Sequence, residues 1–128
     1  MTEQLMSGKT VVVTGATSGI GLATALGLAQ KGAQVIGVGR SKERCAQAEA
    51  FIKAAVPEAG VFFFQADLAS QKQIRELAAA ITKKVKLESA GVLDVLINNA
   101  GTFTSWFVTT SEGFELQFAV NHLAPFLL

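Results

Sequence analysis

Four short runs of nearly uninterrupted apolar residues punctuate the chain: Thr10 to Val13, Gln34 to Val38, Val61 to Gln65 and Val92 to Ile97. Such runs, bounded by glycine, proline or charge, predict strands buried on both faces. Between them the pattern changes to the helical period. Leu22 to Gln30 reads as a first helix, stopped at Lys31-Gly32-Ala33, where Gly32 can take the left-handed cap conformation. Ser41 suits the N-cap of a second helix running to about Val56 before Pro57, with Cys45, Ala48, Ile52, Ala55 and Val56 on one face. Ser70 and Gln73 resemble a capping box ahead of a third helix, whose Ile74, Leu77, Ala78, Ile81 and Val85 share a stripe. A fourth helix is predicted from near Ser111 to Leu128.

Strand followed by helix, four times over, predicts an α/β fold with a doubly wound parallel sheet. Right-handed crossovers then give the spatial strand order 3-2-1-4. In such a sheet a ligand belongs beyond the carboxyl ends of the strands, where the order reverses between strands 1 and 4.

The stretch at that place is Thr14-Gly15-Ala16-Thr17-Ser18-Gly19-Ile20-Gly21. A glycine turn between strand and helix is the context in which such a motif binds a dinucleotide. A helix N-terminus leaves N–H groups unpaired and carries partial positive charge, so a pyrophosphate can sit there. Gly15 permits the tight turn, Gly19 lets phosphates approach the backbone, and Gly21 lets helix pack on strand. The candidates here are Gly15, Thr17, Ser18, Gly19, Ile20 and Gly21.

Composition narrows the classes. The 128 residues carry a formal charge of +1, which gives no electrostatic case for nucleic acid or an anionic membrane surface. No apolar run approaches the ~20 residues that span a bilayer, and the first nine residues lack a signal-peptide core. One cysteine and one histidine argue against a disulfide and against a metal site, and the cysteine count suits the cytoplasm. With no charged activation scheme in view, Cys45 is read as a small core residue. The chain contains no tyrosine.

Arg40 lies about twenty residues past the glycines, where an NAD-binding protein usually places an acid for the ribose hydroxyls. Val38 to Lys42 has no acid but offers Arg40 and Lys42, so NADP is favoured over NAD: arginine can hydrogen-bond a 2′-phosphate. Asp67, after the third strand, could accept from an adenine amino group with Leu68 packing nearby, or simply start a helix. Asn98-Asn99-Ala100-Gly101 ends the fourth strand: its amide side chains could tie neighbouring backbone together and touch a ribose, with Asn98 the candidate, and Ala100 and Gly101 leave room for a cofactor; an ordinary asparagine–glycine turn is the alternative. In the last helix Phe114, Phe118, Asn121, His122 and Pro125 fall on one stripe, predicted to bury the phenylalanines. Pro125 cannot donate to the carbonyl of Asn121, which should stand free at a kink and be open to water. Trp106 and Phe107 could wall a substrate cleft or cover the core, and His122 is read as structural.

Taken together, Thr14 to Gly21, Asp67-Leu68, Asn98 to Gly101 and Asn121 within Val120-Asn121-His122-Leu123 resemble the short-chain dehydrogenase/reductase family. Gly39-Arg40 and Gly113 to Phe118 look most like its retinol-dehydrogenase-like branch. The resemblance implies a Rossmann fold and hydride transfer between a nicotinamide cofactor and a small-molecule carbonyl or alcohol. A tyrosine would be the general acid/base, a lysine would lower its pKa, a serine would orient the carbonyl, and Asn121 would support a water in the proton relay. It also implies a homo-oligomer at full length.

The missing tyrosine departs from that pattern, because no Tyr-x-x-x-Lys pair can exist here. Residues 1–128 are therefore expected to be the N-terminal part of a single NAD(P)-binding domain, incomplete at its C-terminus, with the catalytic half elsewhere. The competing expectation is a short, non-catalytic nucleotide-binding or interaction protein. Another Rossmann enzyme, such as a methyltransferase, leaves Asn98 to Gly101 and Asn121 without a role.

Overall fold

The computed structural model describes residues 3–128. Four parallel strands, β1 (Thr10–Thr14), β2 (Gln34–Gly39), β3 (Val61–Gln65) and β4 (Val95–Ile97), form one sheet in the order β3-β2-β1-β4. The expected doubly wound order is thus the observed one. Helices α1 (Gly19–Gln30), α2 (Lys42–Ala55) and α3 (Gln71–Glu88) make the crossovers. A last helical stretch, α4, covers residues 116–127.

The apolar runs are continuous because both faces of the sheet are covered. On one face Val11, Val13, Val35 and Phe63 pack with Ala25 and Ala29 of α1 and with Cys45, Ala48 and Ile52 of α2. On the other, Val12, Ile36 and Val38 pack with Leu77, Ile81 and Val85 of α3. Successive strand residues point to opposite faces, so each strand feeds both cores. Ala55, expected on the buried face of α2, is exposed, while Val56 beyond the helix end is buried.

The caps behave largely as their residue types dictate. Gly32 ends α1 at φ 90°, with Gly32 N donating to Ala29 O (3.0 Å) and Ala33 N to Leu28 O (3.0 Å), the paired bonds of a Schellman turn. Ser41 Oγ accepts from Arg44 N at 3.3 Å, and Ser70 Oγ from Gln73 N at 3.2 Å. Only half of the expected capping box forms at Ser70. The Gln73 side chain reaches past it and accepts from Asp67 N at 2.8 Å, tying down the turn that leads into the helix.

Two of the predicted elements begin later than expected. β4 starts at Val95, not Val92, because Asp94 terminates the ladder: its N–H donates to Thr10 O (3.0 Å) and its Oδ2 accepts from Thr10 N (2.8 Å). Thr10 is the first residue of β1, so no strand remains for Val92 and Leu93 to pair with. The last helix starts at Leu116, not near Ser111. Thr109 and Glu115 pair as an antiparallel bridge, Gly113 turns the tip at φ 89°, and the Glu115 carboxylate caps the helix by accepting from Phe118 N (2.8 Å).

The expected kink is a π-turn. Ala119–Leu123 is π-helical, with Ala124 N donating to Ala119 O, between α-helical turns at Leu116–Phe118 and Ala124–Leu127. The expected burial of the phenylalanines does not occur: Phe118 is 50% exposed and stacks on His122 (centroids 5.2 Å apart), and Phe114 is also exposed. Ala119 and Ala124 take the buried positions instead.

The three-residue β4 is held at both ends. Asp94 fastens the start, aided by Lys9 Nζ at 3.3 Å. At the finish, Thr14 Oγ1 accepts from both Asn99 N (3.1 Å) and Ala100 N (3.0 Å). Thr14→Val would leave two shielded donors without a partner, at a cost of about 2 kcal/mol or more. Thr14→Ser keeps the hydroxyl and should unfold in urea close to the parent, which separates the hydrogen bonds from lost packing. The Asp94 carboxyl is held below its ordinary pKa, chiefly by the Thr10 amide and then by Lys9. Its contribution is present above the unfolded-state carboxyl value and fades as pH falls through the lowered folded value. Asp94→Asn should therefore lower the melting temperature at pH 7 and make its fall on acidification shallower; parallel pH curves for parent and variant would contradict this.

Candidate functional site

The carboxyl ends of the strands open into a cleft of about 420 Å³. Its lining comes from four segments that are distant in sequence: the glycine turn, the end of β2 with the start of α2, the β3–α3 turn, and the β4 end with α4. Of the residues singled out from the sequence, Gly15, Thr17, Ser18, Arg40, Asp67, Leu68, Ala100 and Gly101 line it. Gly19, Ile20, Gly21, Asn98 and Asn121 do not.

The turn itself is packed to the limit. Gly15 has φ 63°, and a Cβ there would lie 2.9 Å from the Ala100 Cα, so only glycine serves both the conformation and the approach of β4. A side chain at Gly21 would strike the carbonyl oxygen of Gly15, so α1 lies directly on the turn. Asn99 secures this contact: its Nδ2 donates to Thr14 O (3.1 Å) and to Gly15 O (3.2 Å). The backbone tie expected of the strand-end amides is thus made by Asn99, while Asn98, the ribose candidate, is exposed and outside the cleft. Side chains alternate between the two faces of a sheet, so Asn99 shares the side of Ile97, which packs on the α1 core beside the glycine turn.

The N-terminus of α1 differs from those of α2 and α3. All three have serine at the N-cap, but Ser18 makes no side-chain cap hydrogen bond, whereas Ser41 and Ser70 do. The first N–H groups of α1 therefore lack the partner that serine supplies elsewhere. Ser18 is a wall of the cleft, and Ile20 next to it is 78% exposed.

Opposite the turn, Arg40 and Arg44 both line the cleft, with Ser41 between them. Arg44 replaces Lys42, the cation noted in the sequence. It lies in the first turn of α2, whereas Arg40 precedes the Ser41 cap. Among the described residues neither arginine has an acidic partner within 4.0 Å. Asp67 Oδ1 accepts from Ala69 N at 3.0 Å, and the carboxylate lies in the wall beside Leu68. Leu116 and Val120 of α4 complete an apolar side. Such a cleft can take an anion at an open helix end, a second anion between two guanidinium groups, and a flat apolar body between.

Asn121 stands at the rim. Its Oδ1 accepts from Thr102 N and its Nδ2 donates to Thr102 O, both at 2.8 Å, so the amide closes a ring with the backbone of a lining residue. Both side-chain atoms are spent on positioning. Trp106 and Phe107 do not cover the core, being 72% and 76% exposed, and they lie outside this cleft. Cys45 is a buried core residue beneath the cleft, its thiol pKa raised by burial and its Sγ 3.7 Å from Phe64 O.

Known proteins share this arrangement. A family model described as short chain dehydrogenase matches residues 9–128. Human retinol dehydrogenase 13 is 47% identical over 121 residues, covering 94% of this chain and 35% of that protein. Mouse retinol dehydrogenase 14 is 40% identical, covering 97% of this chain and 39% of its own length. Among solved structures, L-sorbose reductase from Gluconobacter frateurii, complexed with NADPH and L-sorbose, superposes with a TM-score of 0.78 at 30% identity, over 96% of this chain and 45% of that one. A metagenomic short-chain oxidoreductase in complex with NADP gives 0.76 at 34% identity, over 96% and 54%. The chain thus spans little more than a third of the curated relatives it matches. Fold, cleft and sequence agree: the chain belongs to the short-chain dehydrogenase family.

Proposed function

We propose that this chain is the cofactor-binding part of an oxidoreductase that moves a hydride between NADP(H) and a small-molecule carbonyl or alcohol. The observation that carries the reading is the uncapped N-terminus of α1, opening into a cleft that also holds two unpaired arginines. The residues fit a dinucleotide phosphate. Gly19 has open space where a side chain would stand, and the first amides of α1 suit the pyrophosphate. Arg40 and Arg44 suit a 2′-phosphate, for which planar guanidinium groups give charge-assisted hydrogen bonds. Asp67 and Leu68 would face the adenine, with Leu116 and Val120 across from them. The NADP and NADPH complexes of the two structural relatives support the same cofactor.

When bound, the nicotinamide supplies the hydride; this chain's residues bind, orient and shield. Asn121 belongs to the proton path in this reading. Its amide is fixed on Thr102, and Pro125 supplies no N–H to its main-chain carbonyl, which leaves that oxygen as the atom to hold a water. The general acid/base is placed outside these residues, because none of the 128 is tyrosine. The same reading assigns the parent protein to the retinol-dehydrogenase-like branch, as a cytoplasmic homo-oligomer. The identity to retinol dehydrogenases 13 and 14 supports the branch.

Titration of the 128-residue protein with NADPH and NADH, followed by nucleotide fluorescence, tests the cofactor assignment. Arg40→Ala should weaken NADPH by roughly 10- to 100-fold, the loss of one charged hydrogen-bonding partner, and leave NADH almost unchanged. An equal loss for both nucleotides would remove the 2′-phosphate from the reading. The chain by itself should show no steady hydride transfer to aldehydes or ketones. Sustained turnover would place the acid/base within these residues and overturn that part of the assignment.

A further inference from the structure

The segment between β4 and α4 carries a carboxylate with a long reach. Leu116 N donates to Val108 O (2.8 Å), Thr110 N to Phe114 O (2.6 Å) and Gly113 N to Thr110 O (2.9 Å), so residues 108–116 close into a short hairpin. At its tip Glu112 Oε1 accepts from Gln71 N at 2.6 Å, and Oε2 accepts from Lys72 N at 3.2 Å. These are the first two amides of α3, which no intrahelical carbonyl can satisfy. Ser70 serves the third, Gln73 N. The end of α3 is thus closed by its own serine and by a carboxylate about forty positions away, in the charge sense that the helix dipole favours.

The two segments joined here both lead into the lining of the cleft. Asp67, Leu68 and Ala69 lead directly into α3, and Leu116 and Val120 follow directly from the hairpin; all five line the cleft. Glu112, Gln71 and Lys72 do not. The base of the loop is fastened separately, by Asn121 to Thr102 and by Gln117 Nε2 to Thr104 O at 3.4 Å. Removing the tip contact would therefore free one wall while leaving its root attached. We infer that Glu112 is a positioning residue: it clasps the hairpin to α3 and sets the spacing of the walls that hold the adenine end of the nucleotide. The inference rests on the dinucleotide reading of the cleft. A wall that must be ordered during binding subtracts that ordering from affinity.

Two variants break the clasp from opposite sides. Glu112→Gln keeps the shape but turns an NH2 toward helix donors. Gln71→Pro removes the N–H of the shorter bond at the first helical position, where proline is well accepted, and Ser70 before it already has the extended backbone that proline requires (φ −103°, ψ 116°). Each variant should weaken NADPH and NADH by the same factor, roughly three- to tenfold, with the double variant no worse than either single one. The unchanged preference between nucleotides separates this from the effect of Arg40. Wild-type affinity for both nucleotides in either variant, with the parent binding normally, would overturn the inference. Hydrogen exchange without nucleotide reads the clasp directly: Gly113 and Phe114 should lose protection in both variants, and unchanged protection would also overturn it. If the parent bound neither nucleotide, the dinucleotide reading would fall, and the exchange measurement would decide the clasp by itself.

Discussion

The contact on which the site depends is the cross-tie between the ends of β1 and β4. The Thr14 hydroxyl accepts the amides of Asn99 and Ala100, while the Asn99 amide donates to the carbonyls of Thr14 and Gly15. Strand ends at a topological switch point diverge, because the chains leaving them go to opposite faces of the sheet. Their terminal carbonyls and amides therefore lose the ladder that satisfied them. Here two side chains replace the ladder, and they bring Ala100 against Gly15 closely enough that no side chain could intervene. The glycine turn is shaped as much by β4 as by its own residues.

That turn opens toward the cleft for a second physical reason. Serine precedes each of the three long helices, and serine at this position normally answers the orphan amides behind it. It does so at α2 and α3 but not at α1. The first α1 amides receive no bond from the cap side chain, and two arginines line the same cleft. At α3 the opposite solution holds, with serine and a remote glutamate closing the end completely. The two helix ends thus differ: one lies open beside the cleft, and the other is closed by side chains away from it.

The sheet was legible in the sequence because its signals are local. Unbroken apolar runs, serine caps and glycine stops fixed the four strands, their order and three helices to within a few residues. The same held for the glycine turn, Arg40, Asp67 and Ala100, which lie at strand ends that the topology places together. Contacts that close over distance left no such mark. Arg44 joins the cleft only once α2 has its observed phase. Asn99 rather than Asn98 reaches the glycine turn because it shares the α1 side of the sheet with Ile97, and Asp94 sets the start of β4 through an amide eighty-four positions earlier. The part of the hairpin from Ser111 to Glu115 read as helix because its residues are compatible with either; the sign of a turn was Gly113.

The phenylalanine stripe failed for a more instructive reason. Ala119 and Ala124 are both buried, yet they are five residues apart, about 140° around a regular α-helix. The π-turn at Ala119–Leu123 absorbs that difference by lengthening one hydrogen-bond step, which returns Ala124 to the face that Ala119 occupies. A stripe counted at 3.6 residues per turn cannot survive this insertion, so Phe118 and His122 stack together outside the core. The same insertion places Asn121 over Thr102, where its amide can form two bonds with the loop backbone. Pro125 follows immediately and offers no donor with which to restore the regular spacing. The helix thus gives up a uniform apolar face and in return fixes the rim of the cleft, which is why its π-turn and its asparagine are best understood as one feature.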